Sequence, residues 1–215
     1  MTADDGHRER RTDGAFTHTA ILDAAVKLAS VEGIGAVTIG RLAEKVGVSK
    51  SGLYAHFGSK RHLQTEIVHA AREIFQREVI DPALTVAPGR RRLVALTDAY
   101  LSHVERRVFP GGCFFAGMMA EFDAPSGALH EEVLTDQQEW IALVTELVQE
   151  AKAQGELRDD VDTGQVTFEL TAILGQANYY SVLFPESNAI EQAQRAIETI
   201  IAHASTRSHP TPKKG

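Results

Sequence analysis

Between residues 38 and 60, TIGRLAEKVGVSKSGLYAHFGSK, cations, hydroxyls and an aromatic recur at close spacing. Tyr54, His56 and Lys60 are groups that can hold phosphate oxygens, and Thr38 adds a hydroxyl to the same set. Contacts of that kind fix the register of a protein on a nucleic acid without reading its sequence. Lys50 and Ser51 are placed to reach base edges, a lysine being suited to the O6 and N7 acceptors of guanine. Arg41 offers a further phosphate or base contact. Gly52 leaves room for backbone to approach a groove wall, and Ser49 begins the segment that carries all of these.

The elements that must position these groups are two short helices. Thr38 is a candidate cap, because its hydroxyl can accept from an orphan N–H at a helix start. Ile39, Leu42, Ala43 and Val46 then recur at helical spacing and give one apolar face. Gly47 ends the helix, since glycine takes the left-handed conformation cheaply. Val48 is expected to plug the space between crossing helices. Ser49 is the second cap, opening a helix that turns Leu53 and Phe57 inward. Taken alone, the apolar half is what any helical hairpin needs for a core. Together with the polar half it reads as a helix-turn-helix that places its second helix in a major groove.

Residues 17–63 resemble the DNA-binding domain of TetR-family transcriptional repressors. The matching pieces are AILDAAVKLASVEG and VTIGRLAEKVGVSKSGLYAHFGSKRHL, with Val-Ser, Leu-Tyr-x-His-Phe and Ser-Lys in that order and spacing. One departure is Gly40, expected in mid-helix, where glycine costs ~1 kcal/mol relative to alanine. Another is Ser51 beside Gly52, two small residues on the reading face that leave much of the base contact to Lys50. The resemblance implies a repressor that leaves a pseudo-palindromic operator when a small, largely apolar effector binds its C-terminal domain.

Composition agrees with a globular chain: 215 residues, 43% apolar and 24% charged. The net charge of −7 is unevenly divided. Residues 1–62 hold 9 Lys and Arg against 7 Asp and Glu, whereas residues 63–215 hold 13 against 22. A mildly basic head on an acidic remainder orients the molecule toward a polyanion. A single cysteine, Cys113, excludes an intrachain disulfide and fits a reducing compartment. No stretch is long and apolar enough to span a bilayer, and the polar N-terminus lacks a signal core. The expected location is cytoplasmic, with no membrane partner.

Helical periodicity runs through the rest, so the expected fold is all-α: a three-helix helix-turn-helix domain followed by a helical ligand-binding and dimerisation domain. The boundaries are a disordered tail at 1–14, a DNA-binding domain at 15–62, an effector-binding and dimerisation domain at 63–205, and a second tail at 206–215. Thr17 or Thr19 starts the first helix. Ser59 caps a helix from Lys60 to about Val79. Further helices span Arg90 to Phe109, residues 113–122, residues 126–154 (ended by Gly155), and Asp162 or Thr163 to Phe184. Ser187 caps the last.

Two helix faces in this remainder invite a role. Ile173, Leu174 and Ala177, with Ile190, Ile197, Ile200 and Ile201, are the expected homodimer interface, because the last two long helices of TetR-like proteins pair with their mates. A two-fold dimer sets its reading helices about 34–36 Å apart or a multiple of a turn. Phe109, Phe114, Met118, Met119, Phe122, Trp140, Phe168 and Tyr179 are large soft side chains suited to an adaptable pocket, with Asn178 to orient a ligand. Each is also an ordinary core residue. Cys113 beside Gly111-Gly112 reads either as a redox-sensing thiol or as a buried inert one. No HExxH, CxxC-linked site, P-loop or nucleophile elbow is present, so neither enzyme, metal nor cofactor is expected. Asp159, Asp160 and Asp162 read as a solvated capping run, and Arg90-Arg91-Arg92 as a solvated helix start. Two alternatives stay open: a regulator of the same fold without an effector or acting as activator, and a small-molecule-binding module with a vestigial head.

Overall fold

A computed structural model describes residues 5–121 and 128–206, with side chains described for 18–118 and 129–206. Among the described residues ten α-helices follow one another: α1 (Asp5–Glu32), α2 (Ile39–Val46), α3 (Lys50–Phe57), α4 (Lys60–Phe75), α5 (Asp81–Leu84), α6 (Arg90–Glu105), α7 (Phe114–Glu121), α8 (Ala128–Ala153), α9 (Thr163–Leu183) and α10 (Ala189–Ala204). A 3-10 turn at Ile34–Ala36 joins α1 to α2, and a π-helical stretch at Gln76–Ile80 joins α4 to α5. Among the described residues no strand forms, apart from an isolated antiparallel bridge between Leu157 and Ser205. The fold is all-α.

The chain packs as two compact units, Met1–Gln76 with Arg107–Thr135, and Arg77–Arg106 with Asp136–Gly215. The sequence boundary at 62/63 does not coincide with this division. The reason is α4, whose Leu63, Ile67, Val68, Ala71 and Phe75 are buried and which packs along α1. Phe75 then meets the edge of Phe115 at 5.8 Å. Likewise α1 begins at Asp5, inside the stretch expected as a tail.

In the first unit, Ile21, Ala25, Val26, Leu28 and Ala29 of α1 are buried with Leu42, Leu53 and Phe57. Full burial of each large side chain stabilises by roughly 1.5–3 kcal/mol. The Pro110-Gly111-Gly112 break is a docking point as well as a turn. The Gly111 N–H donates to the Ser30 hydroxyl at 3.2 Å, and a β-carbon at Gly111 would lie 1.7 Å from the Ser30 carbonyl oxygen. Cys113 is buried, which favours the inert reading of its thiol.

In the second unit, α10 buries Ala189, Ala193, Ile197, Ile201 and Ala204, a single stripe at helical spacing. α9 buries Val166, Leu170, Leu174, Ala177 and Ser181 on one face. Its other face carries exposed Phe168, Tyr179, Tyr180 and Leu183. The start of α6 has no cap of its own on Gly89. Instead the Glu156 carboxylate accepts from the Arg90 N–H at 2.5 Å. Arg92 pairs with Glu150 at 3.1 Å.

Candidate nucleic-acid interface

Local capping builds the α2–α3 helix pair. The Thr38 hydroxyl accepts from Arg41 N–H at 3.1 Å and starts α2. Gly47, at φ 72°, ends it, and the Gly47 and Val48 N–H groups both donate to the Ala43 carbonyl. The Ser49 hydroxyl accepts from Gly52 N–H at 3.1 Å and starts α3. Leu53 and Phe57 are buried, so the residues between them face outward. Ser59 caps α4 through His62 N–H at 3.1 Å.

The expected reading residues divide into two groups. Lys50, Ser51, Tyr54 and His56 are exposed along α3, with Tyr54 at 60%. The Thr38 and Ser49 hydroxyls are engaged as caps, and Ser49 also lies 3.2 Å from the Ser51 hydroxyl. Arg41 is held by Glu32 through two hydrogen bonds of 2.7 and 3.1 Å, with Glu44 at 3.4 Å. The pair holds the Glu32 carboxyl below its usual range and raises the guanidinium further. Lys60 donates to the Gly35 carbonyl at 2.7 Å, so its ammonium ties the 3-10 turn to the start of α4. Val48 is exposed rather than plugging a crossing. Gly40 falls in the first turn of α2, not in its middle.

One neighbour was not foreseen. His18 of α1 stacks on Phe57 at 5.1 Å and lies 5.8 Å from the His56 ring. Its sequence signal is weak, because residues 18 and 56 meet only through the packing of α1 behind α3. Among the described residues, no group of three or more His, Cys, Asp or Glu is placed to hold a metal ion.

The family model described as "Bacterial regulatory proteins, tetR family" matches residues 21–67. A second, "Tetracyclin repressor-like, C-terminal domain", matches residues 89–197, about half of the chain. The chain belongs to the TetR family. It is a transcriptional regulator with a DNA-binding domain, and the family is not one of enzymes. The HTH-type transcriptional repressor AcnR of Corynebacterium jeikeium is 29% identical over 168 residues, covering 76% of this chain and 80% of that one. A TetR transcriptional regulator of Chloroflexus aurantiacus shares 25% identity with a TM-score of 0.81, covering 90% of this chain and 98% of that one. AibR, solved in complex with isovaleryl coenzyme A and operator DNA, shares the fold at 19% identity and a TM-score of 0.66, covering 86% and 96%.

The residues expected at a pocket or at a dimer interface are spread over both units. Phe109, Phe114 and Met118 are buried in the first unit, where Phe109 and Phe114 pack at 5.9 Å. Trp140 stacks on Tyr100 at 5.6 Å in the second unit, where Asn178 is also buried. Phe168 and Tyr179 do not line an enclosed cavity: they are 68% and 56% exposed, on the outer face of α9. Met119 has no described side chain, and Phe122 lies outside the described residues. Of the expected dimer residues, Leu174, Ala177, Ile197 and Ile201 are buried in their own unit, because α9 and α10 pack extensively on each other. Ile173, Ile190 and Ile200 are half-buried. A groove of about 530 Å³ between α6 and α10 is lined by Arg90, Val94, Asp98, Gln194, Ile197, Glu198, Ile201 and Ala202. Burial, then the charge of Glu198, pushes the Asp98 carboxyl up. Among the described residues no helix is long and apolar enough to cross a membrane.

Proposed function

We propose that this regulator is a dimeric repressor that releases a pseudo-palindromic operator when a small effector binds outside the head. The observation that carries the operator reading is the exposed row Lys50, Ser51, Tyr54 and His56 on α3, held by the Ser49 cap and the buried Leu53 and Phe57. Tyr54 and His56 bind phosphates and fix register. Lys50, with Ser51, reads base edges. The caps and tethers on Thr38, Ser49, Arg41 and Lys60 hold this surface in shape.

Dimerisation is supported by α9, which is apolar on both faces. A helix of that kind needs a second apolar surface as well as its own core. Phe168, Tyr179 and Leu183 are the groups a partner α9 would cover. That a protein of this fold takes a small molecule is supported by AibR, solved in complex with isovaleryl coenzyme A and operator DNA. An effector acts only through different affinity for the bound and released states.

Selection of bound sequences from a random DNA pool at two salt concentrations tests the reading. The expected result is an inverted repeat with half-sites one or more helical turns apart. No enriched motif, with binding that disappears at moderate salt, would leave only charge attraction and overturn it.

A further inference from the structure

We propose that Gly40 is a positioning residue for base reading: its bare α-carbon is the shelf on which the Lys50 side chain rests, and this sets where the Lys50 ammonium enters the groove. The inference rests on the reading of Lys50 as a base contact.

Gly40 is puzzling on local grounds. It is the second helical residue of α2, behind the Thr38 cap. Its backbone does not take a positive φ, so no left-handed turn requires glycine there. Glycine also weakens a helix relative to alanine. The reason for it lies across the helix pair. A β-carbon at Gly40 would stand 3.2 Å from Lys50 Cε, 3.5 Å from Nζ and 3.9 Å from Cδ. The far end of Lys50 therefore lies over α2 at the one point where α2 has no side chain. The contrast with Gly117 and Gly175 is direct, since a β-carbon at either would meet nothing within 4 Å.

This arrangement has two consequences for reading. A lysine side chain is flexible, and ordering it on binding costs affinity. A side chain already laid along α2 has lost part of that freedom before DNA arrives. The resting place is also electrostatically poor for a cation, because a helix N-terminus carries partial positive charge. A guanine acceptor offers the ammonium a better site. Arg41, the next residue, does not compete for the same acceptor, because Glu32 holds its guanidinium. Gly40 and Lys50 thus act as one reading unit drawn from both helices of the motif.

The test takes wild type, Gly40→Ala, Lys50→Ala and the double variant through DNA selection, then titrates each on the wild-type site and its single-base variants. Melting temperature is followed in parallel, and Gly40→Ser serves as a second small replacement. Gly40→Ala is expected to keep or raise the melting temperature, yet lose about tenfold of discrimination at the half-site positions that Lys50→Ala also loses. In the Lys50→Ala background, Gly40→Ala is expected to change nothing further. If Lys50→Ala alters the base profile while Gly40→Ala and Gly40→Ser keep the wild-type one, the positioning role is wrong and the base-reading role stands. If Lys50→Ala leaves the profile unaltered, Lys50 is not a reader and Gly40 falls with it. If wild type enriches no motif, the proposed function itself fails.

Discussion

Lys60 shows how a cation with the right address can serve a different end. Its ammonium is bound to the Gly35 carbonyl, so its first effect is to hold the 3-10 turn against α4. Lys60→Ala should lower head stability by roughly 1 kcal/mol, the usual net worth of such a hydrogen bond. It should leave the slope of log affinity against log salt nearly unchanged. A slope reduced by about one charge would return Lys60 to the phosphate contacts. His103 makes a second case. It is buried on α6, and burial, then Arg106, pushes its imidazole down to about 4 from 6.5, against a smaller opposing pull from Glu78. Between those values the unfolded chain binds a proton that the folded chain refuses. Stability is therefore whole above pH 6.5 and falls as pH drops toward 4, by on the order of 3 kcal/mol. Denaturant midpoints should fall less across this window in His103→Phe. An equally steep fall would show that other groups carry the acid sensitivity.

Among the elements, those closed by local chemistry were legible. Thr38, Ser49, Ser59 and Asp162 each accept from an N–H three residues on, and that distance in sequence is readable. Ser187 does not cap α10: Asn188 takes the cap position without a side-chain bond. α4 was expected to run to about Val79, but its α-helical part ends at Phe75 and a π stretch follows, which no residue type announces. Which face of α3 is exposed was also legible, because Leu53 and Phe57 fix which face is inward. The ties that consume Lys60 and Arg41 were not, since their partners lie 25 and 9 residues away. The face of α9 that stays exposed was hidden for a related reason: both faces are apolar, and only the packing of α6 and α10 decides between them. The Pro110-Gly111-Gly112 break gives a prediction at this scale. Gly111→Ala would drive a methyl into the Ser30 carbonyl and should cost about 1–3 kcal/mol or more, read as a lower denaturation midpoint. An unchanged midpoint would mean the break can move off α1.

For the whole molecule, the proposed reading of two half-sites requires two joined chains. Phe168→Glu with Tyr179→Glu should yield monomers in sedimentation, with the fold kept by circular dichroism. Operator affinity should fall by 100-fold or more, on the order expected when a linked second contact is lost. A dimer that survives both changes would place the interface elsewhere. Charge completes the picture at this scale. Arg90-Arg91-Arg92 at the open end of a helix would ordinarily be an attractive seat for phosphate, combining cations with unpaired N–H groups. Here Glu156 already sits on the Arg90 N–H and Glu150 on Arg92. The protein carries its own stand-in for a phosphate at that spot. A polyanion reaching that helix start finds the seat already taken by a carboxylate.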